Sequence, residues 1–385
     1  MRRFAAAFFA LALLSISSAL WAAGNGTTGM SILRVPMGAR PLGMGAAFTG
    51  MDGDLDSIDY NPAGLGSIRR LETSGLFSKG FEDTGVEQFA AGAPLPWKIL
   101  NENEPAVLTV QGLFSQEGSL QFNQTNPDGS LLSQSNISAG SDMILEASLS
   151  QLILRQSFLT EGQEHPVEHY LGGTVKYLHS SLAETYSASA GAFDVGYLAK
   201  LPKLNLAFGA SVLNVGSQVK FISVGDPLPT SMRLGLAWKT PLNIASEKVQ
   251  MTFAGDLNRF VQEGDTREQL GVEALIQKFF TFRMGYGFGQ TGSGFSMGFG
   301  VKNGKFSFDY AWVPSSLFSA SHRFGLKASL DLPWPLNFEH QIKAYQGVLD
   351  APSTEEQPKS KEKAAPIRKK QRPEEEMPLL PGWIR

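Results

Sequence analysis

Apolar and polar residues alternate one by one along much of this chain, most clearly in its C-terminal half. In KFSFDYAW, Phe306, Phe308, Tyr310 and Trp312 share one face, and Ser307, Asp309 and Ala311 the other. In FTFRMGYGFG, Phe280, Phe282, Met284, Tyr286 and Phe288 oppose Thr281, Arg283, Gly285, Gly287 and Gly289. RFGLKASL sets Phe324, Leu326, Ala328 and Leu330 against Arg323, Gly325, Lys327 and Ser329, and MRLGLAWK and GFSMGFGVK repeat the pattern. A period of two marks strands whose two faces see different surroundings. About fourteen such segments are predicted. They lie near 72–79, 85–93, 106–115, 141–154, 167–178, 187–199, 203–214, 230–239, 247–257, 267–276, 279–289, 292–302, 305–312 and 321–332.

A soluble sandwich also alternates, but a sandwich of ~100 residues uses about seven strands. Most of the segments here have the length that crosses a bilayer when tilted, roughly 9–11 residues. Their polar face is largely Gly and Ser with single charges, as a wet or plugged lumen requires. The apolar face is long and rich in aromatics, as lipid requires. Connection lengths point the same way. With a periplasmic N-terminus, loops after odd strands face outward and run long. QEGSLQFNQTNPDGSLLSQSNISAG follows the third segment and VGSQVKFISVGDPLP the seventh, whereas LPK, QK and NGK follow the sixth, tenth and twelfth. Two early even connections, Pro94–Pro105 and Gln156–Pro166, are longer than this rule expects. No run of ~18 consecutive apolar residues follows residue 24, so no transmembrane helix is expected.

Composition agrees with an all-β chain: 385 residues hold 41 Gly and 26 Phe, with only 18% charged. The absence of Cys excludes disulfides, thiolate zinc sites and a lipidated N-terminal cysteine. A net charge of −3 gives no sign of nucleic acid. The opening MRRFAAAFFALALLSISSALWAAG has Arg2 and Arg3, a short apolar core and small residues before a cut near Ala22–Gly24. It reads as a signal peptide over 1–23 and is short for a membrane anchor. The expected organisation continues with an N-terminal segment over 24–70, a barrel over 71–332 and a tail over 333–385. PWPLNFEHQIKAYQGVLD can hold a short helix. Residues 351–376 have almost nothing apolar to bury and are expected to be disordered. The closing MPLLPGWIR is either a docking patch or an exposed end.

The stretch GARPLGMGAAFTGMDGDLDSIDYNPAGL, residues 38–65, invites two chemical readings. A dinucleotide fingerprint fails, because Phe48 stands at its third glycine position and no adequate helix follows Gly43 and Gly45. Asp52, Asp54 and Asp56 have the spacing of a calcium loop, but Ser57 replaces its glycine and Ala63 its closing glutamate. No Ser/His/Asp set or catalytic carboxylate pair stands out, and the five His are scattered. Neither enzyme activity, cofactor nor metal is expected.

GARPLGMGAAFTG followed by SIDYNPAGL resembles the N-terminal signature of PorV/PorQ-type outer-membrane proteins, within the long-chain fatty acid transporter (FadL-like) superfamily. FDVGYLAKLPKLNLAFGASVLNVG, DPLPTSMRLGLAWK, FRMGYGF and HRFGLK extend the likeness over roughly 31–330. Ala46 departs from the pattern, which has Gly there. The resemblance implies an all-β, transmembrane antiparallel β-barrel of about fourteen strands in the bacterial outer membrane, with an N-terminal hatch inside the lumen. The hatch motif is then Gly38, Arg40, Pro41, Gly43, Gly45, Asn61, Pro62, Ala63 and Gly64, and Arg283, Asp309 and Arg323 are lumen-facing candidates. The glycines permit close approach and positive φ, and the prolines stiffen turns. Asn61 can bond its own backbone. Arg40 is expected to pair with a lumen carboxylate, for instance Asp309, Glu146 or Asp256. Two functions remain open. One is passive passage of hydrophobic small molecules, where Phe114, Leu131, Leu132, Phe221 and Ile222 in outer loops either make first contact or simply pack. The other is protein interaction, since some relatives shuttle cargo in type IX secretion, and the polar loop 116–140 suits secreted or surface proteins. The lipid bilayer is the one partner common to both.

Overall fold

A computed structural model describes residues 26–79, 84–96, 98–160, 163–244, 247–289, 294–314 and 320–332. The expected signal peptide and charged tail lie outside the described residues. The first strands are β1 (Leu71–Lys79), β2 (Thr84–Pro94), β3 (Val107–Glu117), β4 (Ser119–Thr125), β5 (Leu131–Ser138), β6 (Gly140–Thr160), β7 (Gln163–Leu182) and β8 (Tyr186–Leu201). They continue with β9 (Leu206–Gly216), β10 (Ser231–Ile244), β11 (Glu247–Phe260), β12 (Thr266–Ile276), β13 (Phe280–Phe288), β14 (Phe295–Asn303), β15 (Phe306–Val313) and β16 (Ser321–Leu330).

Fourteen of these close into one antiparallel barrel in the order β1-β16-β15-β14-β13-β12-β11-β10-β9-β8-β7-β6-β3-β2. β1 and β16 seal it, in register from Leu71↔Leu330 to Lys79↔His322. Closure leaves no strand edge, which is what a sheet needs where no water can satisfy its N–H and C=O groups. The alternation in the sequence becomes inside and outside. Along β13, Phe280, Phe282, Met284, Tyr286 and Phe288 are exposed, while Thr281, Arg283, Gly285 and Gly287 are buried. Phe77, Phe89, Val175, Phe193, Leu234 and Leu326 continue the apolar exterior on other strands. Tyr310 packs 5.2 Å from the rings of both Phe299 and Phe324 on that surface. No helix among the described residues is long and apolar enough to cross a membrane. The crossing is made by strands, and a closed barrel with this apolar exterior is built for the bacterial outer membrane.

Two expectations are corrected here. Gln156–Pro166 is ladder rather than loop, since β6 and β7 pair through Gln156↔Val167 to Thr160↔Gln163. The stretch after β3 is also not a plain loop, because β4 and β5 form a separate two-stranded ribbon. Its tip is a local turn in which Asn126 N–H donates to Ser130 O, and Gly129 N–H to Asn126 O. Leu120 lies opposite Ile137 across the ribbon, so a short apolar face survives within a polar sequence. The QK connection is as tight as expected. Gln277 and Lys278 both take positive φ, as a hairpin turn that matches strand twist demands.

Candidate functional site

The N-terminal segment is irregular but buried. It holds a short 3-10 turn over Ser31–Arg34, a five-residue helix α1 (Ala39–Gly43), and 3-10 turns over Leu55–Asp59 and Pro62–Ser67. Met44, Ala47, Phe48, Met51 and Leu65 are inaccessible to solvent. α1 packs on β13, β14, β15 and β16, while the Pro62–Ser67 turn packs on β6, β7 and β8. One segment therefore touches two separate arcs of the barrel wall.

The turn at Asn61 shows how the local sequence builds this path. Its side chain accepts from Ala63 N–H at 3.1 Å, as an N-cap does, and Pro62 fills the first turn position, where no N–H is needed. The Asn61 amide also donates to Thr49 O at 2.9 Å and to Tyr197 O on β8 at 3.0 Å. Gly38 and Gly45 have φ of 81° and 65°. Gly43 lies flat on the wall, where a Cβ would sit 3.2 Å from Gly298 Cα. Pro41, Ala63 and Gly64 are buried. Ala46, which stands where the sequence resemblance has Gly, has φ 66° and is 2% exposed. An L-residue there is strained by about 1–2 kcal/mol. Ala46→Gly is expected to be tolerated or slightly stabilising, and Ala46→Val to lower the temperature of barrel unfolding, read by heat-dependent gel mobility.

Charge binds the segment to the wall. Arg40 grips Glu273 on β12 through Nε (2.8 Å) and Nη2 (2.7 Å), and donates through Nη1 to Asp54 at 2.8 Å. The three carboxylates expected for Arg40 are engaged elsewhere. Asp309 accepts from Arg283 at 2.7 Å, Glu146 pairs with Lys176 at 3.2 Å, and Asp256 caps the backbone at Phe48 and Thr49. Arg283 also reaches Glu273 at 2.7 Å, so Asp54, Arg40, Glu273, Arg283 and Asp309 form one alternating chain. Two of the lumen-facing candidates, Arg283 and Asp309, thus meet. The third, Arg323, stands apart from them.

The acidic run that imitates a calcium loop has other partners. Asp52 pairs with Lys200 at 2.6 Å and Lys239 at 2.8 Å, and Lys327 joins Asp54 to Asp56. Burial alone would raise the Asp54 carboxyl, but Lys327 and Arg40 outweigh it and hold it below the ordinary range. Burial pushes Asp56 up to about 6; Lys327 opposes this and the neighbouring Asp54 charge adds to it. This redundancy sets an expectation for Arg40→Ala. Glu273 keeps Arg283 and Asp54 keeps Lys327, so the loss is about 1–3 kcal/mol, the cost of lost hydrogen bonds rather than of a stranded charge. A downward shift of the unfolding midpoint measures it.

Sequence reasoning missed two kinds of wall residue. Asp256, considered only as a partner for Arg40, instead accepts from the N–H groups of Phe48 and Thr49 and from the Thr49 hydroxyl. In the sequence the wall glycines read only as members of a polar face. A Cβ on Gly209 would sit 1.9 Å from Thr49 O, and one on Gly285 1.9 Å from Gly45 N. The available signal was glycine recurring on the inward positions of neighbouring strands.

Toward the rim that carries β4 and β5, the interior turns apolar. Met30, Ile32 and Met37 of the N-terminal segment cluster with Leu113, Ile144, Leu178 and Ala190 of the wall. A cavity of about 40 Å³ lies beside them; Tyr60 and Phe260 line it too, but so do the polar groups of Asp59, Glu146, Lys176, Asn214, Arg233 and Gln269. Of the five expected outer contacts, Leu131, Leu132 and Ile222 are well exposed. Phe221 packs against the interior cluster, and Phe114 belongs to β3 rather than to a loop.

No protein-family model and no curated protein matches the chain. Solved structures do. The toluene transporter TbuX of Ralstonia pickettii is similar with 13% identity and a TM-score of 0.43, over 76% of this chain and 98% of that one. The P. putida toluene transporter TodX shares 10% identity with a TM-score of 0.43, over 77% and 99%. A Pseudomonas aeruginosa FadL homologue shares 10% identity with a TM-score of 0.39, over 77% and 99%.

Proposed function

We propose that this chain is a FadL-like passage for hydrophobic small molecules across the outer membrane, with residues 38–65 as the hatch that closes the lumen. The observation that carries this reading is the apolar interior between the hatch and the β4–β5 rim. An apolar patch among inward charges gives an apolar molecule a place to leave water. Here Leu113, Ile144 and Leu178 turn inward and meet Met30, Ile32 and Met37. The cavity of about 40 Å³ is smaller than the roughly 150 Å³ that takes benzene, so entry requires the hatch side to give way; a small hydrocarbon burying ~150 Å² there gains about 4 kcal/mol. That corresponds to millimolar binding, weak enough for release.

Expression in a Gram-negative host lacking such a protein, with initial uptake of a radiolabelled monoaromatic hydrocarbon, tests the proposal. Uptake is expected to exceed that of the empty vector and to fall in Leu113→Asp, which puts a charge into the apolar interior. Wild-type uptake equal to the vector's, or a folded Leu113→Asp as fast as wild type, overturns it.

A second reading, a PorV-like role in presenting secreted proteins, is favoured by the β4–β5 ribbon. Among the described residues it pairs with no other strand, and it exposes Leu120, Phe122, Leu131 and Leu132. Free edges of this kind accept an added strand. Deletion of 120–137 separates the two, since passage then persists while capture of surface proteins is lost.

A further inference from the structure

Arg323 differs from the other inward arginines. Arg40, Arg233 and Arg283 each hold a carboxylate. Arg323 is 8% exposed, and among the described residues its Nη1 meets only Met37 Sδ at 3.8 Å and its Nε has no hydrogen-bond partner. Among the described residues it forms no ion pair. A buried guanidinium without a counter-charge is costly, and that cost falls when an anion reaches it.

The side chain opens into a cavity of about 240 Å³, distinct from the smaller one beside Tyr60. Ile32, Val35 and Val86 form its apolar wall, and Ser78, Ser115 and Ser321 supply hydroxyls. Glu117 also borders it, at the Gly140 side on β6, so a bound carboxylate has to settle on Arg323 rather than there.

We propose that this cavity binds a small amphipathic carboxylic acid, with its carboxylate on Arg323 and its apolar part against Ile32, Val35 and Val86. Guanidinium and carboxylate match as planar, two-pronged partners. Size points to the class: an apolar cavity of about 150 Å³ takes benzene, so one of about 240 Å³ has room for a benzoate-sized acid. The site does not rest on the passage reading, because binding here needs no transport.

The test uses the full-length protein in detergent and fluorine NMR of 4-fluorobenzoate. Saturable binding is expected, displaced by benzoate but not by an equal concentration of chloride. Neutral 4-fluorobenzyl alcohol should bind more weakly. Arg323→Met should weaken 4-fluorobenzoate binding by about tenfold or more, the loss of a charge-assisted pair. No saturable binding to the wild type overturns the proposal, as does unchanged affinity in Arg323→Met. Displacement by chloride also overturns it, since the site then takes inorganic anions. Should Arg323→Met fail to fold, Val86→Trp fills the cavity from β2 and keeps the arginine; undiminished binding in that variant overturns the proposal equally.

Discussion

Replacing Gly209 and Gly285 together by leucine will open the barrel without unfolding it. Gly209 lies on β9 and Gly285 on β13, so the two press on the N-terminal segment from different arcs of the wall. At both positions a Cβ would fall 1.9 Å from a backbone atom of the segment, Thr49 O in one case and Gly45 N in the other. Backbone cannot rotate away as a side-chain tip can, so the segment itself must move. Overpacking costs about 1–3 kcal/mol at each site and is borne by contacts between wall and segment. The ladder is untouched, since Gly209↔Gly235 and Gly285↔Gly271 pair through backbone groups that leucine also carries. Single-channel recording in planar bilayers reads the result. The wild type should be almost silent, and the double variant should show frequent, larger steps while keeping heat-dependent gel mobility. A folded double variant as silent as the wild type would mean that the segment does not close the lumen.

Asp256→Ala should loosen the same segment more than Arg40→Ala does. Asp256 Oδ2 accepts from Phe48 N–H at 2.9 Å, Thr49 N–H at 2.8 Å and Thr49 Oγ1 at 2.5 Å. It also faces Arg233 Nη2 at 3.4 Å. Nothing else in the described network stands ready to replace it. Removing the carboxylate strands two buried N–H groups and leaves Arg233 without its counter-charge, a loss of about 3–5 kcal/mol. Asp256→Asn keeps one acceptor oxygen and should fall between the two. Limited proteolysis within 38–65, together with the unfolding midpoint, gives the order. Equal protease resistance in Asp256→Ala and Arg40→Ala would refute the ranking.

Much of the architecture was legible in the residues. Alternation is a local property: Phe280 to Phe288 or Phe306 to Trp312 can bury only one face, whatever lies far away in the chain. Short turns such as Gln277-Lys278 are local as well, so register on that rim follows from the turn itself. Fourteen segments of bilayer-crossing length with an aromatic face leave closure as the way to satisfy backbone groups in lipid. The longer β6 and β7 were harder to see, because past Leu152 both strands leave the apolar belt and lose the clean alternation that marks the rest.

What the sequence by itself determined was this strand pattern, its inward and outward faces and the membrane setting, all consequences of short-range periodicity and backbone hydrogen bonding. Only the tertiary structure decided who meets whom inside. Arg40 finds Glu273 rather than Asp309, Glu146 or Asp256 because barrel register brings that β12 side chain within reach of Arg40, across 233 residues of chain. The same packing turns Gly209 and Gly285 into contact points and makes Asp256 a cap for Thr49. It also leaves Arg323 at a cavity with no ion pair among the described residues. A charge or a glycine reads the same in sequence wherever it stands; its role is set by the atoms that closure of the barrel places within about 3 Å of it, the range in which hydrogen bonds and ion pairs act.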